Sequence, residues 1–88
     1  MYKILLCEDE DSIRTFLKIN FERNGFLVFD TDTGEEAVRI AGLEKPDVAI
    51  LDVMLPGIDG FEVLKKIRED NSKIGIIMLT AKGQDTDK

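Results

Sequence analysis

The sequence predicts an α/β fold in which a parallel sheet is covered by helices on both faces. Short apolar runs with little polar alternation recur along the chain, as is typical of strands that are buried on both sides. Segments of helical period lie between these runs, and each has its own start or stop signal. Repeated units of strand, helix and strand have right-handed crossovers, so they form a parallel sheet.

Short apolar runs predict the strands, which are Tyr2 to Cys7, Phe26 to Phe29, Val48 to Leu51 and Ile74 to Leu79. None is long enough to cross a membrane. The first run leads directly into the acidic segment Glu8 to Asp11, which no signal peptide would do. We therefore expect a cytoplasmic protein.

The first predicted helix follows this acidic segment, and its apolar stripe consists of Ile13, Phe16, Leu17 and Phe21. Asn24-Gly25 supplies the stop, because a helix commonly ends on a left-handed glycine. One apolar stripe predicts a helix that packs on a sheet with one side only.

Capping residues predict the starts of the next two helices. Thr33 and Glu36 have capping-box spacing, and so do Asp59 and Glu62. The second helix should bury Ala37, Val38 and Ala41 and end before Pro46. The third should bury Phe61, Val63, Leu64 and Ile67.

Composition limits the function. The 88 residues allow one small domain, and an apolar content of 43% is enough for a folded core. A net charge of -6 argues against contact with the nucleic-acid backbone, which requires a basic surface. The only cysteine, Cys7, has no disulfide partner and no accompanying histidine for a zinc site, so we expect a buried strand residue.

Polar residues follow three of the predicted strands. Glu8 and Asp9 come after the first, Asp52 after the third and Thr80 after the fourth. Ligands of open parallel sheets bind beyond the carboxyl ends of the strands, so the three carboxylates should converge if the first and third strands are neighbours. Each acid also has a structural interpretation, since acids favour helix starts and a carboxylate after a strand can cap a helix or stabilise a turn.

Converging carboxylates repel one another, and a hard divalent cation relieves this repulsion. Mg²⁺ suits a site with one or two carboxylates that leaves places for water and phosphate oxygens. Without a histidine or a reactive cysteine, the candidate nucleophile is a carboxylate, as in enzymes that form an aspartyl phosphate. Asp52 is the best placed, because a loop rich in proline and glycine follows it.

Three motifs in order resemble those of two-component response-regulator receiver domains: Ile4 to Glu10, Leu51 to Gly60 and Met78 to Ala81. The resemblance covers the chain and implies a flavodoxin-like, doubly wound parallel sheet with strand order 2-1-3-4-5. It also implies a phospho-accepting role for Asp52, with a sensor histidine kinase as phospho-donor and an output domain as a further partner.

The resemblance assigns the remaining site residues as well. Asp9 would be a direct Mg²⁺ ligand, with Mn²⁺ as a substitute metal, and Glu8 would act mostly through water. Asp52 and the backbone carbonyl of Met54 would complete the protein ligands. Thr80 would be the switch hydroxyl that turns toward the phosphoryl group. Such a domain signals and is not an enzyme in the ordinary sense.

A complete receiver is longer, so residues 1–88 are expected to be a truncated receiver domain that ends just after strand four. The fifth strand, the last helices and the lysine that pairs with the phosphoryl group would be missing, and phosphoryl transfer would be impaired. Strand four would then be an uncovered edge beside bare apolar surface, which predicts a homo-oligomer.

Two other functions are compatible with parts of the sequence. A truncated receiver can serve as an interaction or oligomerisation module that is not phosphorylated. The segment from Asp9 to Ser12 also approximates the D-x-D-x-T nucleophile motif of haloacid-dehalogenase-like phosphatases. This second interpretation leaves Asp52 unexplained, and that class requires a longer chain.

Overall fold

The computed structural model describes residues 1–79. Within this range, strands and helices alternate: β1 (Lys3–Cys7), α1 (Asp11–Arg23), β2 (Leu27–Thr31), α2 (Gly34–Glu44), β3 (Val48–Asp52), α3 (Gly60–Asp70) and β4 (Gly75–Leu79). The strands form one parallel sheet in the order β2-β1-β3-β4. The predicted α/β class and the strand order 2-1-3-4 are both confirmed.

Each face of the sheet has its own apolar core, because alternate side chains of a strand point to opposite faces. On one face, Leu5, Cys7, Ala49 and Leu51 pack with the buried side chains of α2 and α3. On the other face, Ile4, Leu6, Val28 and Ile50 pack with Leu17 and Phe21 of α1. The predicted burial of Cys7 is confirmed, since its exposed fraction is 0%.

The predicted helix caps are present at both positions. The Thr33 hydroxyl accepts a hydrogen bond from the Glu36 amide at 3.3 Å, and the Asp59 carboxylate accepts one from the Glu62 amide at 2.9 Å. The Glu36 carboxylate pairs with the Arg39 guanidinium. The Glu36 side chain therefore has its partner one turn further along α2.

Two predicted core residues are exposed instead. Phe16 of α1 is 65% exposed and Phe61 of α3 is 60% exposed. The half-buried stripe of α1 is narrower than predicted and contains Ile13, Leu17 and Phe21. An apolar side chain beside a stripe remains in solvent when no neighbouring element reaches it, and single exposed apolar residues of this kind are common.

The strands begin and end slightly differently from the apolar runs. β2 continues through Asp30 and Thr31, and β3 includes Asp52, while Tyr2, Phe26 and Ile74 precede their strands. The reason is that strand length follows backbone pairing rather than side-chain polarity. Thr31 lies opposite Cys7, and Asp52 lies opposite Leu79.

An apolar groove of about 360 Å³ lies on the α1 side of the sheet, and it is lined by Tyr2, Ile4, Phe21, Phe26, Val48, Ile50 and Ile77. Ile77 is 53% exposed and Tyr2 is 66% exposed. In residues 1–79, no helix is both long and apolar enough to cross a membrane.

Candidate metal centre at the carboxyl edge of the sheet

Three acidic residues meet beyond the carboxyl ends of β1 and β3. Glu8, Asp9 and Asp52 each offer one carboxylate oxygen, and these oxygens lie within 4.8 Å of one another. Asp52 is fully buried and Glu8 is 1% exposed, whereas Asp9 is exposed. The structure thus brings together the three acids that the sequence placed at strand ends.

Strand pairing explains why these residues meet. Cys7 of β1 lies opposite Leu51 of β3, so the next residue of each strand, Glu8 and Asp52, extends from the same edge. Beyond β1, the Glu8 amide still donates to the Thr31 carbonyl at 3.1 Å. Parallel pairing in this register places two acidic side chains side by side at the end of the sheet.

Backbone amides donate to the buried carboxylates of Glu8 and Asp52. The Glu10 amide donates to Glu8 Oε2 at 3.0 Å, and the Met54 amide donates to Asp52 Oδ1 at 3.1 Å. A backbone amide that donates to a carboxylate oxygen restricts the orientation of that carboxylate. The two buried acids are therefore oriented by the loops that follow their strands.

The acidic cluster affects the neighbouring thiol. Burial and, to a smaller extent, the nearby carboxylates of Asp52 and Glu8 together raise the pKa of Cys7 from 9.0 to about 12. The thiol also donates to the Thr33 carbonyl at 3.3 Å. Cys7 is therefore a protonated packing residue beneath the site, and it is not a nucleophile.

An open cleft of about 700 Å³ lies beside the cluster, and it is lined by Asp9, Glu10, Met54, Leu55 and Pro56. Carboxylates on one side and open space on the other suit a hard cation that retains water ligands. The donor chemistry therefore fits Mg²⁺. Met54 lines this cleft and is 62% exposed, and the predicted role of its carbonyl stays a prediction.

The loop between β3 and α3 packs closely beneath Asp52. The Gly60 amide donates to the Val53 carbonyl at 3.0 Å. A Cβ atom on Gly60 would overlap the Asp52 carbonyl oxygen and would lie 2.9 Å from Val53 Cα. A side chain at position 60 would therefore disturb the backbone that carries Asp52.

Thr80 lies outside the described residues, so its predicted role as switch hydroxyl stays a prediction. The residue before it, Leu79, lies opposite Asp52, and the Leu79 carbonyl accepts a hydrogen bond from the Val53 amide at 3.1 Å. The carboxyl end of β4 is therefore beside the acidic cluster.

Arg14 was not among the predicted site residues, yet its guanidinium donates to the Glu8 carbonyl at 2.8 Å. The only local signal was its spacing from Asp11, with which it forms an i, i+3 ion pair at 2.6 Å. The Asp11 carboxylate thus binds the Arg14 guanidinium, and Asp11 does not belong to the group of Glu8, Asp9 and Asp52 that could hold a metal. The D-x-D interpretation requires both acids at one site, so this geometry argues against it.

The parallel sheet with this strand order and the acidic cluster beyond β1 and β3 agree with the arrangement that the sequence resemblance predicted. The family model for the response regulator receiver domain matches residues 4–88. The chain belongs to this family. Receiver domains are signalling domains and not classical enzymes.

The sequence is similar to transcriptional regulators. It is 50% identical over 86 residues to the alkaline phosphatase synthesis transcriptional regulatory protein PhoP of Bacillus subtilis, covering 98% of this chain and 36% of that protein. It is 45% identical over 87 residues to the transcriptional regulatory protein AfsQ1 of Streptomyces coelicolor, covering 99% of this chain and 38% of that protein. The chain thus spans little more than a third of these relatives.

Solved structures support the same fold. The response regulator TrrA of Thermotoga maritima, solved in complex with Mg²⁺-BeF, matches with a TM-score of 0.87 and 37% identity over 94% of this chain and 72% of that chain. A CheY-like receiver domain from Methanospirillum hungatei matches with a TM-score of 0.89 and 28% identity, over 91% of this chain and 64% of that chain. The flavodoxin-like fold implied by the resemblance is therefore confirmed.

Proposed function

We propose that this chain is a phospho-accepting receiver domain, in which Asp52 takes a phosphoryl group from a sensor histidine kinase in the presence of Mg²⁺. The observation that carries the proposal is the convergence of the Glu8, Asp9 and Asp52 carboxylates within 4.8 Å, beside an open cleft. The family membership supports it, and so does the Mg²⁺-BeF complex of the similar protein TrrA.

Each acid has a distinct proposed role. Asp9 is exposed and lines the cleft, which suits a direct metal ligand. Glu8 is buried and its Oε2 already accepts from the Glu10 amide, which suits an acid that acts mostly through water. Asp52 and the Met54 carbonyl complete the protein ligands, and Mn²⁺ can replace Mg²⁺. Thr80 is the proposed switch hydroxyl.

The chemistry follows from the position of Asp52. One carboxylate oxygen of Asp52 bonds to the phosphorus atom, while the bond from phosphorus to the donor breaks in line and its electron pair leaves with the donor. The metal, when bound, neutralises charge on the phosphoryl oxygens. The Met54 amide holds Asp52 Oδ1, which orients the carboxylate before the donor arrives.

The partners of the whole protein belong to this proposal too. Sensor kinases supply the phosphoryl group, and the remaining part of the receiver and an output domain complete a regulator such as the transcriptional relatives. The chain carries a net charge of -6, so we expect that it makes no direct contact with nucleic acid. We place the receiver domain over residues 1–88.

Phosphorylation can be tested with acetyl phosphate and Mg²⁺, followed by mass spectrometry. We expect one hydroxylamine-sensitive phosphoryl adduct on Asp52, and Asp52→Asn should abolish it because an amide cannot form the acyl phosphate. Asp59→Asn is the matched control, since it removes a carboxylate from the same loop while an asparagine still caps α3.

An adduct that persists in Asp52→Asn would contradict the assignment. The rate at which acetyl phosphate phosphorylates Asp52 in the same assay also tests the expectation that phosphoryl transfer to the 88-residue chain is impaired. Repeating the reaction with Mn²⁺ tests the substitute metal.

A second candidate function is an interaction module that is not phosphorylated, and the apolar groove beside α1 favours it. β4 is the outer strand of the described sheet, and its half-exposed Ile77 lines the groove. Such an edge beside apolar surface recruits other chains. A two-fold dimer that buries this surface is the simplest assembly.

We expect the chain to sediment as a dimer at high micromolar concentration and to dissociate on dilution. Ile77→Lys should shift it to monomer, because a charged side chain would enter the buried surface. Leu43→Lys is the matched control, since Leu43 is 66% exposed on α2 and does not line the groove. A folded monomer at every concentration would contradict the dimer.

A further inference from the structure

A single guanidinium joins three elements around the acidic site. Arg14 of α1 donates from Nη1 to the Glu8 carbonyl at 2.8 Å and from Nη2 to Asp11 Oδ1 at 2.6 Å. Its Nε lies 3.4 Å from Asp30 Oδ2 of β2. We propose that Arg14 is a positioning residue, which holds the Glu8 and Asp9 carboxylates in the geometry that Mg²⁺ requires.

The contact with the Glu8 carbonyl is the important one, because the Glu8 carbonyl and the Asp9 amide belong to the same rigid peptide unit. Fixing that carbonyl fixes the peptide plane between two proposed metal-binding acids. The Glu8 amide is already held by the Thr31 carbonyl. Both backbone groups of Glu8 are thus anchored, which restricts the turn that carries Asp9.

The other two contacts hold the guanidinium in place. The Asp11 side chain is 85% exposed, so this ion pair contributes little energy by itself. Asp30 is 29% exposed and also pairs with Lys18 Nζ at 3.2 Å, so it remains a fixed anchor on β2. With 17% of its side chain exposed, Arg14 has little freedom to leave the Glu8 carbonyl.

This role depends on the shape of the guanidinium as well as its charge. Arginine presents a planar fork of donors, whereas lysine is a point charge on a flexible stem. Arg14→Lys therefore retains the positive charge near the acids but cannot reach three acceptors on three elements. A loss of metal affinity in this variant would reflect geometry and not charge.

The inference rests on the proposed metal site, and calorimetry of the 88-residue chain can test the two separately. We expect Arg14→Lys to weaken Mg²⁺ binding about tenfold, as is typical when a residue that orients a ligand is lost. Arg39→Lys is the matched control, because Arg39 of α2 forms the same kind of i, i+3 ion pair, with Glu36, as Arg14 forms with Asp11. The Mg²⁺ affinity of this control variant should stay close to that of the wild type.

The choice of metal separates positioning from general destabilisation. Mg²⁺ demands nearly ideal octahedral geometry, whereas Ca²⁺ accepts flexible coordination. Arg14→Lys should therefore lower Mg²⁺ affinity more than Ca²⁺ affinity, while a loss of charge or of folded protein would lower both equally. If Arg14→Lys does not fold, Asp30→Asn removes the anchor instead and should change the ratio of affinities in the same direction.

Asp9→Ala tests the proposed metal site, whereas Arg14→Lys tests the positioning role of Arg14. If the wild type and Asp9→Ala bind Mg²⁺ equally, or neither binds it, the proposed metal site is wrong. If the wild type binds Mg²⁺ and Asp9→Ala does not, the site stands and Arg14 is tested alone. An unchanged ratio of Mg²⁺ to Ca²⁺ affinity in Arg14→Lys, or an equal loss in Arg39→Lys, would then overturn the positioning role.

Discussion

Asp9→Ala is expected to lower the Mg²⁺ affinity of this chain by about 100-fold or more, because even residues that only orient a metal ligand contribute about 10- to 100-fold. Asp9 is the exposed member of the acidic cluster and lines the open cleft, so it has direct access to an incoming ion. Titration calorimetry at constant ionic strength measures the loss.

The same substitution should leave the metal-free protein folded. Removing one of three clustered carboxylates reduces their mutual repulsion, so the melting temperature in EDTA should not fall. Added Mg²⁺ should raise the melting temperature of the wild type but not that of the variant, since a ligand stabilises only the state that binds it.

Asp32→Ala is the matched control for Asp9→Ala. Asp32 is an exposed acid just beyond β2 on the same edge of the sheet, and it does not belong to the metal-binding group. Its loss removes the same charge without removing a proposed ligand. Equal Mg²⁺ binding by the wild type and Asp9→Ala would refute the metal role of Asp9, and an equal loss in both variants would indicate a general charge effect.

Gly60→Ala is expected to lower the free energy of unfolding by about 3 kcal/mol, because overfilling a closely packed site forces the backbone to move. The added Cβ would overlap the Asp52 carbonyl oxygen and would lie 2.9 Å from Val53 Cα, and neither is a flexible side-chain atom. The backbone φ of Gly60 is not positive, so the effect would be purely steric. Urea denaturation measures it.

Gly42→Ala in α2 gives the opposite expectation and serves as the control. A Cβ at this position would have no heavy atom within 4 Å, so alanine should stabilise the helix by about 0.5–1 kcal/mol. A folded Gly60→Ala variant should also bind Mg²⁺ more weakly, because the strain falls on the backbone of Asp52. Equal stability of Gly60→Ala and the wild type would show that the loop relaxes at little cost.

Local sequence patterns determined most of the secondary structure. Apolar runs mark the four strands, and the Thr33 and Asp59 caps mark the starts of α2 and α3. These features are predictable because a helix cap or a buried strand depends mainly on residues close in the chain. The identity of the three acids also followed from local information, since each directly follows a predicted strand. Their convergence required the first and third strands to be neighbours, which no local pattern specifies.

Tertiary structure decided the features that depend on distant elements. The exposure of Phe16 and Phe61 depends on which neighbours reach them, and the residues beside them in sequence carry no such information. The strand order came from the family resemblance and not from periodicity. Arg14 became part of the site only because folding places α1 against Glu8 and Asp30, so that one side chain contacts both. A contact between two elements is set by their packing, which no local pattern specifies.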